Sequence, residues 1–165
     1  MAAAQRSSIQ DARMPAPILN KVDLVALLRK VISLHTQEGT KIELVVEEGP
    51  LFVQGDAQLL SRIFSNIILN SLQSAREGDP LSIEVSARRV DDYGMVQLSD
   101  NGTGISEELR DKVFIPHFTT KKTGSGLGLA IARQGIEQSG GAIWFETEWM
   151  KGTSFFIRLP LHQSE

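Results

Sequence analysis

The sequence predicts one folded domain that contains both helices and strands, and three observations carry this prediction. Apolar residues recur at helical spacing in three stretches, while elsewhere apolar and polar residues alternate as they do in strands. A long loop bounded by glycines, from Asp100 to Gly128, interrupts these regular segments. Loops of this length inside a compact domain are usually lids or binding loops. We therefore expect the functional site at this loop.

The composition is that of an ordinary globular domain. The 165 residues, 41% of them hydrophobic, suit one domain with its own core. The net charge of −3 argues against a surface that binds nucleic acid. The lack of cysteine excludes disulfides, zinc–thiolate sites and thiol catalysis. No run reaches the roughly 18 apolar residues of a membrane helix. We expect a cytoplasmic chain without membrane contact, whose parent protein could itself be membrane-anchored.

The first helix follows a polar segment that Pro15 and Pro17 interrupt. We interpret residues 1–20 as a connector or an artificial chain start, residues 21–161 as the domain and residues 162–165 as a tail. Asp23 is a suitable helix cap. The residues after it that share one face of a helix are Leu24, Leu27, Leu28, Val31, Ile32 and His35.

Two short runs typical of strands, at 41–46 and 51–53, are separated by a Glu-Gly-Pro turn. Asp56 then caps the strongest predicted helix, at about 57–76. Its apolar face is broad enough to be buried on most sides. The apolar residues are Leu59, Leu60, Ile63, Phe64, Ile67, Ile68, Leu69 and Leu72.

A polar stripe runs along this hydrophobic helix. Asn66 and Asn70 are one turn apart, and Gln73 and Ser74 follow one turn later. The stripe is either a solvated outer face, a set of structural amides, or a site whose amides a ligand or metal satisfies.

The second half of the chain predicts two hairpins and a helix. The first hairpin pairs strands at 81–90 and 95–99, and the second pairs strands at 142–146 and 153–159. A helix at about 127–138 lies between them, ended by Ser-Gly-Gly. The turn of the first hairpin contains Asp91, Asp92 and Gly94.

The first hairpin delivers Asp100 to a strand end, where ligand contacts are common. Gly102 and Gly104 would allow positive φ or close approach of a flat ligand. A short lid helix, capped by Ser106, is expected next.

A glycine run enters the helix at about 127–138. Alternate glycines at 124, 126 and 128 would present backbone N–H groups at a positive helix end, and Lys121 and Lys122 lie nearby. A polyphosphate is the natural ligand for such a site. The spacing fits neither a Walker loop nor a dinucleotide fingerprint. A flexible loop with a tight helix start is the alternative interpretation.

Five ordered motifs, NIILNSLQSA, DNGTGI, FIPHFTTK, TGSGLGLAIA and GTSFFIRLP, resemble the N, G1, F, G2 and G3 boxes of bacterial sensor histidine kinases. The likeness is to the catalytic and ATP-binding domain of the nitrogen-regulation-type group and covers roughly residues 22–160. It implies the Bergerat fold of the GHKL superfamily, an α+β two-layer sandwich. Three helices would cover one face of a mixed five-stranded sheet under a long ATP lid.

The resemblance also implies roles for individual residues, with ATP and Mg²⁺ as cofactors. Asn70 would hold the Mg²⁺, and Asn66, Asn70 and Lys121 would act in catalysis. Asp100 would accept from the adenine amino group, with Thr153 nearby. The other implied nucleotide contacts are Asn66, Gln73, Ser74, Gly102, Gly104, Ile105, Phe118, Thr119, Thr120, Lys121, Lys122, Gly124, Ser125, Gly126, Leu127, Gly128 and Leu129.

The resemblance implies that a partner carries the phosphoacceptor. None of the three histidines, His35, His117 and His162, is followed by an acid as the family's acceptor is. We therefore expect that the chain does not autophosphorylate alone. Because the family dimerises through helices that we expect to be missing here, the resemblance also implies a monomer. Its partners would be the dimerisation and phosphoacceptor hairpin of the parent kinase and a downstream response regulator.

Three alternatives share the implied fold. The first is a regulatory module that binds nucleotide without transfer, and the second is an anti-sigma-type serine kinase. The third class comprises the related ATPases with a glutamate at the position of Asn66. An amide cannot act as their general base, so we expect slow hydrolysis.

Overall fold

The computed structural model describes residues 16–36, 39–47, 49–115 and 128–163, and these form a two-layer α+β sandwich. A mixed five-stranded sheet makes one layer, and helices cover one of its faces. The strands are β1 (Asn20–Asp23), β2 (Thr40–Val46), β3 (Phe52–Gly55), β4 (Leu81–Val90), β5 (Tyr93–Asp100), β6 (Ala142–Glu148) and β7 (Gly152–Pro160). The helices are α1 (Leu24–Leu34), α2 (Ala57–Gln73), α3 (Glu107–Arg110) and α4 (Gly128–Gln138). The predicted fold class is confirmed.

The strand order places the end of β5 beside the start of β7. Across the sheet the order is β2, β4, β5, β7 and β6; β2 and β4 pair in parallel, and the other pairs are antiparallel. In the β5–β7 register, Asp100 lies opposite Thr153. The central strands therefore bring together two predicted site residues that are distant in sequence.

A second, two-stranded sheet pairs β1 with β3 in antiparallel fashion. Strand-like composition at 51–53 predicts β3 but not its partner, because β1 is a four-residue strand and lies far away in the chain. The end of the domain also joins this sheet. Val53 bridges Leu161, and the backbone N–H of His162 donates to the carbonyl of Phe52 at 2.9 Å.

Both long N-terminal helices begin at the predicted aspartate caps. The carboxylate of Asp23 accepts from the N–H of Ala26 at 3.1 Å. Oδ1 of Asp56 accepts from Gln58 and Leu59 at 3.1 and 3.2 Å. These bonds satisfy N–H groups that would otherwise lack partners in the first turn. The predicted starts of α1 and α2 are therefore confirmed.

The structure corrects three local predictions. Helix α2 ends at Gln73 rather than near 76, because Ser74 turns back and donates from both its N–H and its hydroxyl to the carbonyl of Ser71. Gly94 lies inside β5, and the turn consists of Asp91 and Asp92 alone. Ser106 occupies the cap position of α3, yet its hydroxyl makes no capping bond to any described residue.

One apolar core joins the helices to the sheet. Alternate residues of β4, β5 and β7 are buried together with the inner faces of α1, α2 and α4. The largest fully buried side chain is that of Phe64 on α2. Each such side chain contributes roughly 1.5–3 kcal/mol of stabilisation. Within the described ranges, no helix combines the length and hydropathy needed to cross a bilayer.

The Asp56 carboxylate also binds the segment that enters the domain. Its Oδ2 accepts from the backbone N–H of Ile18 at 3.0 Å, while Oδ1 caps α2. The bond from Ile18, and to a smaller extent those from Leu59 and Gln58, keeps the pKa of Asp56 below its ordinary value of 3.8, against the opposing effect of burial. One carboxylate thus stabilises both the helix start and the entering chain.

Replacing Asp56 is therefore expected to lower stability in a pH-dependent way. Asp56→Ala should reduce the free energy of unfolding by about 1 kcal/mol at pH 7, the usual effect of losing a cap. Because the pKa is lowered in the folded state, the part of this stabilisation that the negative charge contributes is present above pH 3.8 and is lost as the pH falls through the folded-state value. Urea unfolding across this range measures it.

Two variants complete this experiment. Asp56→Asn keeps one acceptor oxygen and should lose the acid dependence with a smaller decrease at pH 7. Asp92→Asn removes an exposed carboxylate from a turn and should change little. A decrease for Asp92→Asn as large as that for Asp56→Ala would contradict the assignment.

Candidate functional site

The carboxylate of Asp100 is held by two backbone amides. Its Oδ1 accepts from the N–H of Gly102 at 2.9 Å and from the N–H of Thr153 at 3.3 Å. Within the described ranges, Oδ2 accepts no hydrogen bond. The side chain is half-buried at the end of β5. A fixed carboxylate with one remaining oxygen can recognise a hydrogen-bond donor on a ligand.

Beside Asp100, a pair of threonines orients the hydroxyl of Thr153. The hydroxyl of Thr147 accepts from the N–H of Ile105 at 2.9 Å and donates to the carbonyl of Gly152 at 3.0 Å. The two threonine hydroxyls are 2.9 Å apart. Since the single proton of Thr147 is already donated, Thr153 must donate to Thr147 and keep its own lone pairs as acceptors. The buried Thr153 hydroxyl is thus an acceptor next to Asp100.

Thr147 is a site residue that the sequence analysis missed. Its position on β6, directly opposite Thr153 on β7, follows from the register of the closing hairpin. Two threonines at paired positions of a predicted hairpin are the signal that could have indicated the contact.

Gly102 and Gly104 allow the loop after β5 to pack closely against the protein itself. A Cβ on Gly102 would lie 2.5 Å from the carbonyl oxygen of Ser74, at the end of α2. Gly104 has φ of +72°, and a Cβ there would lie 2.9 Å from the carbonyl carbon of Glu148. The expected positive φ is therefore observed at Gly104. Ligand approach at these glycines stays a prediction.

Asn66, the first residue of the polar stripe on α2, lies beside the start of α4. Asn66 and Asn70 are half-buried, and a Cβ on Gly128 would lie 3.2 Å from Nδ2 of Asn66. Gln73 is exposed at the last turn, and the hydroxyl of Ser74 donates to its own helix. The nucleotide contacts expected of all four residues stay predictions.

A backbone hydrogen bond connects the stripe to the Asp100 loop. The N–H of Thr103 donates to the carbonyl of Ser74 at 2.8 Å, one turn beyond Asn70. Ile105 and Leu129 pack against the core at the two sides of this region. The remaining predicted contacts lie outside the described residues: Phe118, Thr119, Thr120, Lys121, Lys122, Gly124, Ser125, Gly126 and Leu127.

Residues 55–163 match the family described as histidine kinase-, DNA gyrase B- and HSP90-like ATPases. The chain belongs to this family. Sporulation kinase D of Bacillus subtilis is 32% identical over 143 residues, which cover 84% of this chain and 28% of that kinase. Nitrogen regulation protein NtrY of Azorhizobium caulinodans is 31% identical over 156 residues, 91% of this chain and 20% of that protein. The chain thus spans less than a third of the length of these relatives.

Solved structures show the same similarity in three dimensions. The nucleotide-free catalytic domain of histidine kinase ThkA superposes with a TM-score of 0.77 at 28% identity, covering 87% of this chain and 95% of that one. The mycobacterial sensor histidine kinase MprB gives 0.77 at 25% identity, covering 89% and 100%. The chain is therefore an ATP-binding catalytic domain of the sensor histidine kinase type, and the family predicted from the motifs is confirmed.

The geometry at Asp100 predicts a variant that folds but loses base recognition. In Asp100→Asn, the amide oxygen can still accept from Gly102 and Thr153, while the amide nitrogen replaces Oδ2 and offers a donor to the adenine amino group. ATP affinity should fall by about 10- to 100-fold, as expected for losing a charged hydrogen bond and gaining a mismatched donor. Calorimetric titration measures this, and Asp79→Asn serves as an exposed control.

Gly102→Ala should damage the site through a backbone collision. The new methyl group would meet the carbonyl of Ser74 and push the Asp100 loop away from α2. We expect a loss of about 1–3 kcal/mol in stability, as for other overpacked positions, together with weaker ATP binding. Gly49→Ala is the matched control, because no atom lies within 4 Å of its added Cβ. Wild-type stability in Gly102→Ala would refute the close packing.

Proposed function

We propose that residues 21–161 form a catalytic domain that binds Mg²⁺–ATP and transfers the γ-phosphoryl group to a histidine on a separate dimerisation domain of the parent kinase. The observation that carries this proposal is the carboxylate of Asp100, fixed by two amides with one oxygen left for a ligand. The bond from Thr103 to Ser74 joins its loop to the helix that bears Asn66 and Asn70.

Asp100 and Thr153 would recognise the base. Both present acceptors, and the exocyclic amino group of adenine is a donor that fits them. Guanine carries a carbonyl oxygen at the corresponding position, and that acceptor would face the carboxylate. A hydrogen bond to a charged group contributes roughly 1.5–3 kcal/mol, so this pairing favours adenine by a factor of about ten or more.

The polar stripe on α2 would serve the phosphate side. Asn70 offers an uncharged amide oxygen of the kind Mg²⁺ accepts when phosphates and water supply its other ligands. Within the described ranges, no cluster of three His, Cys, Asp or Glu could hold a metal, which fits a cation held largely by the nucleotide. When bound, Mg²⁺ supplies neutralisation of phosphate charge. Lys121 and Lys122 would add positive charge.

Asn66 favours transfer to a partner over hydrolysis. It lies against Gly128, at the beginning of the helix that follows the glycine run 124–128. N–H groups at such a helix start suit phosphate oxygens. A carboxylate at Asn66 could take a proton from water, whereas an amide cannot. The domain would therefore hold ATP in position without activating a water molecule.

The histidines of the chain support an acceptor on another domain. Nε2 of His35 lies 2.5 Å from the hydroxyl of Ser65, so that ring nitrogen is already engaged. His162 follows the last strand and joins β3 through its backbone, and His117 lies outside the described residues. In the transfer, an imidazole nitrogen of the partner would bond to the γ-phosphorus as the bond to ADP breaks, and the imidazole would pass its proton to the acid that follows the acceptor histidine in the family.

A reconstituted transfer assay tests this function. The chain is mixed with the separate dimerisation hairpin of a sensor kinase and γ-labelled ATP, and acid-labile, base-stable label on the hairpin indicates phosphohistidine. Asn70→Ala should lower transfer at limiting Mg²⁺ by at least tenfold, the loss expected for one metal ligand. Adenosine affinity should stay unchanged, because Asn70 serves only the phosphate side.

The other outcomes identify the competing functions. Label on the serine of an anti-sigma antagonist would indicate a serine kinase, and ATP binding without any transfer would indicate a regulatory module. Rapid ATP turnover by the chain alone would contradict the role given to Asn66. The phosphorylated hairpin should then pass its label to a response regulator.

A further inference from the structure

Three segments around the Asp100 loop are joined by a closed ring of hydrogen bonds. The N–H of Thr103 donates to the carbonyl of Ser74 at 2.8 Å, and the N–H of Met150 donates to the carbonyl of Thr103 at 2.5 Å. Nη1 of Arg76 donates to the carbonyl of Met150 at 2.7 Å. Since Arg76 follows Ser74 by two residues, the ring closes. It connects the end of α2, the loop after β5 and the turn between β6 and β7.

Two of the three segments in the ring lead to residues of the base-recognition site. Thr103 lies between Gly102, whose N–H holds Asp100, and Gly104, which packs on Glu148. The turn that contains Met150 leads directly into β7 and Thr153. The ring therefore adds a second restraint to the arrangement of Asp100 and Thr153 that the β5–β7 register sets.

Arg76 makes the only side-chain bond in this ring of four residues, and its surroundings indicate what its positive charge contributes. Its side chain is 27% exposed, and Nη2 lies 3.4 Å from the carboxylate of Asp79. Its Nε is buried without a partner among the described residues. The ion pair is long, and its Asp79 partner is exposed, so it contributes little. A charged donor on the Met150 carbonyl is a stronger contact than a neutral one.

Met150 provides a second, independent observation. It adopts φ of +63°, a left-handed conformation that a residue with a side chain rarely takes. Such a conformation persists where surrounding contacts determine it. The contacts that hold Met150 on both sides are its N–H to Thr103 and its carbonyl to Arg76.

We propose that Arg76 is a positioning residue for adenine recognition, which closes the hydrogen-bond ring and thereby holds Asp100 and Thr153 in the geometry that selects the base. The inference rests on the proposed function, because it assumes that these two residues receive adenine. Arg76 itself touches no nucleotide in this scheme.

The test compares nucleotide selectivity in four versions of the full 165-residue chain. ATP, GTP and adenosine are titrated calorimetrically into wild type, Arg76→Gln, Arg76→Lys and Asp79→Asn. Glutamine is too short to reach Met150, so Arg76→Gln should weaken ATP and adenosine equally, by about tenfold, the lower range for a charged hydrogen bond. Its preference for ATP over GTP should fall in proportion.

The two other variants separate positioning from general stability. Lysine can still donate to the Met150 carbonyl, so Arg76→Lys should recover most of the affinity and the base preference. Asp79→Asn loses the ion pair but keeps the ring, so its selectivity should equal that of wild type. Melting temperatures are recorded for each variant. A change in selectivity without a fall in melting temperature indicates positioning, because a merely structural role would not alter selectivity in a folded protein.

Each remaining outcome decides the inference. Wild-type selectivity in folded Arg76→Gln overturns it, whereas a wild-type chain that binds ATP and GTP equally overturns the proposed base recognition instead. If Arg76→Gln does not fold, the test becomes hydrogen exchange of the wild-type chain with and without adenosine. Adenosine should then slow exchange at the N–H groups of Thr103 and Met150, and unchanged exchange at both would overturn the role of the ring.

Discussion

The antiparallel register between β5 and β7 is the constraint on which the site depends. It pairs Leu98 with Phe155 in the core and Asp100 with Thr153 at the rim. Side chains of a strand alternate between its faces, so a slip of one residue would move all of these to the wrong face. Gly152 permits the close approach of the two strands, since a Cβ there would collide with the carbonyl of Asp100. The contacts that bury the core therefore also hold the carboxylate at the site.

Helix α2 connects the Asp100 loop to the residues expected on the phosphate side of the site. Its start is bonded through Asp56 to Ile18, and its end meets the Asp100 loop through Ser74. A helix of 17 residues is about 25 Å long and rigid when one face is buried. Asn66 and Asn70 therefore lie at fixed distances from the loop. If a polyphosphate binds here as proposed, neutral amides at these positions would add no like charge beside it, whereas two carboxylates would.

Local signals predicted most of the fold, and long-range contacts account for what they missed. The caps at Asp23 and Asp56 predicted where α1 and α2 begin, and alternation predicted both hairpins. The β1–β3 sheet was not predictable, because two four-residue strands carry too little pattern to indicate their pairing. The end of α2 near Gln73 was misplaced because the chain reverses through Ser74 to meet a loop that is distant in sequence.

The candidate site likewise contains residues that the sequence predicted and residues that it did not. Motifs indicated Asp100, Asn66 and Thr153, whose residue types match the chemistry they would perform. They did not indicate Thr147 or Arg76, which orient other groups and are defined only by register and by contacts between distant segments. A sequence motif contains the residues that a ligand would contact. The residues that position them depend on how this particular chain folds, so a motif does not reveal them.

In the proposed function, the separation of base recognition from the amide stripe would let the domain bind ATP without consuming it. On the base side, the carboxylate and hydroxyl acceptors are held by backbone amides and a threonine pair, so they are ordered before any ligand binds. On the stripe side, Asn66 offers no group that could remove a proton from water. In the proposed function the nucleophile comes from a partner domain, and one ring nitrogen of His35 is already engaged by Ser65. If the proposal holds, transfer would depend on when a partner domain presents its histidine, and docking of that partner, rather than ATP binding, would be the step at which such a kinase is controlled.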